Sequence, residues 1–137
     1  MNVVNIKPSQ LYPVKDHILP QSVAAAASVS SGWIDASQQD WLSILALCGA
    51  GAGTVAIKVE QADSSVGGNA KDLYTAVQTG ITVLDTTIKK QQADLQLGAN
   101  LDVDANFRWI RITATVTGGA GTLISAGAQL GPSRYLA

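Results

Sequence analysis

Apolar and polar residues alternate along two stretches of this chain, and a repeat of two is the side-chain period of a strand, not of a helix. In Thr54–Gln61 (TVAIKVEQ), Val55, Ile57 and Val59 alternate with Ala56, Lys58 and Glu60. In Phe107–Thr117 (FRWIRITATVT), Ile110, Ile112, Ala114 and Val116 alternate with Trp109, Arg111, Thr113 and Thr115. Each stretch predicts a strand with one buried face. Trp41–Cys48 (WLSILALC) and Thr122–Leu130 (TLISAGAQL) read as further strands. The glycine-rich links Gly49–Gly53 and Gly118–Gly121 join the four into two pairs and supply the positive φ that hairpin turns need.

The two pairs resemble each other. Trp41–Gln61 set against Trp109–Gln129 without gaps, an offset of 109 − 41 = 68 residues, matches at eight of 21 positions: Trp41/Trp109, Ile44/Ile112, Ala46/Ala114, the run GAGT and Gln61/Gln129. Either the fold has two similar halves, or two Gly-Ala-rich hairpins align this well by composition alone. Both readings give an all-β fold, a β-sandwich or jelly-roll. A length of 137 residues suits one domain with one core.

Residues 1–20 carry Pro8, Pro13 and Pro20, which exclude a regular helix and break sheet ladders, so they read as an extended N-terminal arm. The domain proper spans 21–130, and residues 131–137 (GPSRYLA) form a C-terminal tail. Within the domain, Gln21–Ser31 leans towards a strand, Asp63–Lys71 reads as an exposed turn and Ile81–Leu84 as a short strand. Thr86–Leu97 fits a short amphipathic helix or a strand.

Reactive groups are few. Catalysis needs a base, a nucleophile or a metal held close together. The chain has one histidine, His17, in the arm, and one cysteine, Cys48, on the same strand face as Leu42, Ile44 and Ala46, where it reads as an inert core thiol. Asp102, Asp104 and Asn106 have the spacing that opens a calcium loop but lack its glycine and terminal glutamate, so they read as a polar turn. GAGAGT lacks the Lys-Ser/Thr ending of a phosphate loop. No catalytic residue, cofactor or metal site is expected. Nine Lys and Arg against ten Asp and Glu, scattered along the chain, leave no basic footprint for nucleic acid. No basic-then-apolar leader and no run of roughly 18 apolar residues points to secretion or membrane insertion.

The residues point instead to a protein partner. The chain is 47% hydrophobic and only 14% charged, against about 25% charged in an average domain. Trp41, Leu45 and Leu47 project opposite to Leu42, Ile44, Ala46 and Cys48, so this strand is apolar on both faces. A sandwich buries one face of each sheet. The other must be covered by residues 21–36 or the arm within one chain, or by a second subunit. Tyr12, Leu19, Arg134 and Tyr135 are candidate anchors of the arm and tail, since Tyr and Arg are favoured at contact hot spots.

Four stretches give a resemblance: SVAAAASVSSGWID, GTVAIKVEQADSS, FRWIRITATV and GAQLGPSRY, which together span residues 21–135. In outline they resemble the small β-rich virion proteins of long-tailed phages. That resemblance implies a jelly-roll or sandwich on the capsid surface, made in the host cytoplasm, associating with itself, commonly as a trimer, and with the major capsid protein to cement neighbouring capsomers. A neck, tail or head-fibre component fits the same pattern. A carbohydrate-binding β-sandwich, with Trp33, Trp41 or Trp109 as a stacking platform, is the reading from another class.

Overall fold

The structure, a computed structural model, describes residues 14–131 apart from 38, 52, 86, 99, 120 and 121. Its strands in chain order are β1 (Val14–Val23), β2 (Ser28–Ser30), β3 (Ile34–Asp35), β4 (Trp41–Cys48), β5 (Thr54–Ala62), β6 (Lys71–Tyr74), β7 (Lys90–Gln96), β8 (Trp109–Thr117) and β9 (Thr122–Leu130). One short helix, α1 (Ala76–Thr79), lies between β6 and β7, and a 3₁₀ turn (Val103–Ala105) precedes β8.

These strands form two antiparallel sheets. Sheet one has the order β1-β9-β4-β7; sheet two has β2-β8-β5-β6, with β3 also on β8. The pairs β1·β9, β2·β8, β4·β7 and β5·β6 are the rungs of one long hairpin. That hairpin is rolled up so that β9 also pairs with β4, and β8 with β5. This is the jelly-roll form of a β-sandwich. Its core lies between the sheets and is filled by the inward residues of the alternating strands: Leu42, Ile44 and Ala46 from β4 face Val55, Ile57 and Val59 from β5, with Ile110, Ile112 and Val116 from β8.

The roll-up corrects the two hairpins expected from the glycine links. β4 and β5 are in different sheets, as are β8 and β9. Alternation fixes which face of a strand is buried but not which sheet the strand joins, and Gly49–Gly53 carries the chain over the end of the core as an arch. The two arches nest. Gly51, at φ +142°, passes so close to β9 that a Cβ there would lie 2.6 Å from Thr122 Cα. Gly53 N–H donates to Thr122 Oγ1 at 3.2 Å, and Leu123 N–H to the Ala50 carbonyl at 2.9 Å.

The internal similarity holds for one strand of each pair and fails for the other. Leu42, Ile44, Ala46 and Cys48 match buried Ile110, Ile112, Ala114 and Val116, whereas buried Val55 would match exposed Leu123. Pairing shows the same slip, since Leu42 faces Leu130 while Ile110 faces Gln61 instead of Ala62. Past the turn the copies are one residue out of phase, and a one-residue slip exchanges the faces of a strand.

Three expectations shift at their edges. β1 begins inside the segment read as an arm, and Pro20 sits in a register irregularity between Ile18 and Gln21 on this edge strand, where a missing N–H is tolerated. Of the segment read as a helix or a strand, Lys90–Gln96 forms strand β7, with Ala93 and Leu95 inward and Gln92, Asp94 and Gln96 outward. Ile81–Leu84 forms a single bridge instead of a strand, Leu84 pairing with Val55, and both Ile81 and Leu84 cap the core.

Candidate functional site

The outer faces of the two sheets differ in chemistry. On sheet two the polar positions pair with one another. Glu60 of β5, its side chain 12% exposed, accepts from Arg111 Nε and from Thr113 Oγ1, each at 2.7 Å, and Lys58 Nζ lies 3.3 Å from its other oxygen. Burial alone would raise the Glu60 pKa; the hydrogen bonds from Arg111 and Thr113, the Arg111 charge and Lys58 outweigh it, and the net shift is downward. Lys58 also bonds Asp72 at 3.0 Å. Ser28 pairs with Thr115 and Ser30 with Thr113, both at 2.8 Å. The Arg111 guanidinium stacks 4.6 Å from the Trp33 ring, and Gly67 packs on that ring so closely that a Cβ would lie 2.7 Å from Nε1.

Among the described residues, sheet one has no such ion-pair network over its centre; Gln92 Nε2 donates to Ser43 Oγ at 3.3 Å towards the β7 side. Leu19 of β1 is 61% exposed, Trp41, Leu45 and Leu47 of β4 are 43, 47 and 42% exposed, and Leu123 of β9 is 44% exposed. The ladder sets Leu45 and His17 on either side of Gly127, which has no side chain to fill the space between them; a Cβ there would meet nothing within 4 Å. The result is an apolar groove of about 260 Å³ running over β9, walled by Leu45 and Leu47 on one side and by His17, Ile18 and Pro20 on the other. Residues 21–36 do not cover it. They finish β1 and then run into β2 and β3 of the other sheet.

Of the residues singled out from sequence, the structure brings Trp41, Leu45 and Leu47 onto this face and places Leu19 on its edge strand. Tyr12, Arg134 and Tyr135 lie outside the described residues. Leu123 and Gly127 were not singled out. The alternation of β9 gave their parity, but their place beside β4 needs the strand order.

Other candidate groups are scattered. Cys48 is buried, and burial followed by the nearby Asp85 charge pushes its thiol pKa up, away from a reactive thiolate. His17 is exposed at the groove wall. Asp102 is ion-paired with Lys71, and the turn that carries it ends at Asn106 in the left-handed region. Among the described residues no three His, Cys, Asp or Glu side chains gather as a metal site, and no helix is long and apolar enough to cross a membrane. No protein-family model, no curated protein and no solved structure matches the chain.

Proposed function

We propose that this protein is a non-enzymatic structural subunit that docks through the outer face of sheet one, against copies of itself and against a larger shell. The observation that carries the reading is the half-exposed pair Leu45 and Leu47 walling an unfilled groove in the middle of a sheet, with exposed Leu123 farther along β9, on a domain whose other sheet face carries charge pairs. Apolar patches of this kind mark interaction surfaces.

Magnitudes limit what the face can do alone. Complete burial of a large apolar side chain is worth about 1.5–3 kcal/mol. Leu19, Trp41, Leu45, Leu47 and Leu123 are already about half covered, so docking recovers about 1 kcal/mol each. Association costs about 4–15 kcal/mol. Self-association through this face alone is therefore weak and depends on concentration. Tight assembly needs further contacts, for which the arm anchor Tyr12 and the tail anchors Arg134 and Tyr135 are the candidates.

The setting that fits best is the capsid of a tailed phage, with the protein as a decoration or cement subunit, trimeric, lying between capsomers of the major capsid protein. The sequence resemblance and a jelly-roll with one apolar outer face support it. The test is binding of the purified chain to capsids that lack it, followed by particle survival on heating. Saturable binding that raises the temperature of capsid rupture supports the proposal; no binding sinks the decoration reading and favours a neck, tail or fibre component.

A further inference from the structure

A second concavity lies at the start of β8 and shares no residue with the groove on sheet one. It holds about 450 Å³, within the range of small-molecule sites, and its wall mixes Trp109, Phe107 and Val103 with Asp63, Asn106 and Arg108. Two loops build it. One follows β5 and brings Asp63; the other runs from Leu101 to Arg108 and presents Asn106 in the left-handed conformation at φ +62°.

The charges here are already answered. Asp63 accepts from Asn69 Nδ2 at 2.6 Å, and it is the one carboxylate among the described residues of the wall. Arg108 pairs with Asp35 at 2.9 Å and stacks 5.5 Å from the Trp109 ring, so an anion would have to displace a neutralised guanidinium. What the wall still offers is apolar ring surface from Trp109, the exposed Val103 methyls, and a rim of planar hydrogen-bonding groups: the Asn106 amide and the remaining Arg108 N–H groups. An apolar platform ringed by planar polar groups is complementary to a neutral ring with one C–H face and hydroxyls round its edge.

We infer that this groove binds a pyranose unit of a saccharide, with Trp109 against the C–H face and Asn106 and Arg108 bonding the hydroxyls. The site is separate from the docking face, so the two readings succeed or fail independently.

Saturation-transfer NMR and calorimetry on the full chain test it, with the methyl pyranosides of glucose, galactose, mannose and N-acetylglucosamine as probes and adenosine as a flat control. At least one pyranoside should bind saturably, with transfer strongest to its ring C–H protons. Trp109→Ala should weaken it about tenfold. Asn106→Gly keeps the positive φ while removing the amide, so it should weaken binding without unfolding the loop. Leu45→Lys should leave it unchanged. The inference is overturned if no pyranoside binds, if binding survives both Trp109→Ala and Asn106→Gly, or if adenosine binds and the sugars do not.

Discussion

The outward faces of the two sheets are built by the same strand alternation and end in opposite states. On sheet two, most outward residues of β5 and β8 are polar, Ala56 and Trp109 apart, and Lys58, Glu60, Arg111 and Thr113 satisfy one another across the ladder. On sheet one, the outward positions of β4 and β9 are Trp41, Ser43, Leu45, Leu47, Leu123, Ser125, Gly127 and Gln129, and nothing in the described chain is laid over the central leucines Leu45 and Leu47 beside Gly127. Fold stability explains the first arrangement: cross-strand polar pairs close a solvent-facing sheet and blunt its tendency to associate. It does not explain the second. A half-exposed leucine row adds little to folding and favours association, which is the ground of the proposed docking role.

The comparison can be broken most sharply by giving sheet one the chemistry of sheet two. Leu45→Lys with Leu47→Lys should weaken self-association by about 30-fold or more, roughly 2 kcal/mol. Urea unfolding of the dilute chain should move by only about 0.5 kcal/mol, as for other surface changes. The reciprocal change should do the reverse. Glu60→Ala leaves Arg111 without its carboxylate and Thr113 with Ser30 alone, and should cost about 1–3 kcal/mol of unfolding free energy, with the mass in solution unchanged.

Acid should act on sheet two first. The Glu60 and Asp35 pKa values are both lowered in the fold; for Asp35, burial pushes upward but the Ser37 hydrogen bonds and Arg108 prevail. A depressed carboxylate pKa gives stability that is fully present above the unfolded value, 4.5 for Glu60 and 3.8 for Asp35, and is lost as pH falls through the folded value. Denaturation midpoints should therefore fall below about pH 4.5, and Glu60→Gln should flatten that fall. An unchanged slope would mean that the Glu60 network contributes nothing. The smallest effect belongs to the exposed Lys58–Asp72 pair, where Asp72→Asn should cost no more than about 0.5 kcal/mol.

Much of the fold was legible because a half-buried strand writes its buried face into every second residue. β4 and β9 have the bounds that alternation gives, Trp41–Cys48 and Thr122–Leu130, and β5 and β8 differ from their expected bounds by one or two residues. What alternation does not encode is partnership between strands. That is why the glycine links looked like hairpins and are arches, and why the eight-residue match between Trp41–Gln61 and Trp109–Gln129 hides a one-residue slip. β7 was ambiguous because an edge strand of Lys, Gln and Asp has few apolar residues to mark its period. Ile81–Leu84 was apolar for a different reason, closing the core from a loop.

The candidate face was partly legible. β4 is apolar on both sides, which singled out Trp41, Leu45 and Leu47 without any structure. Leu123 and the gap at Gly127 became part of the site only once β9 was seen to lie between β4 and β1.

The mass of the native chain in solution, followed by light scattering during size-exclusion chromatography over a range of loading concentrations, tests the central claim most directly. The account predicts a mass that rises from one chain towards a defined multiple as concentration increases, and that stays at one chain for the Leu45→Lys, Leu47→Lys variant. A native chain that remains monomeric at every concentration, or a variant that assembles as the native chain does, would contradict it.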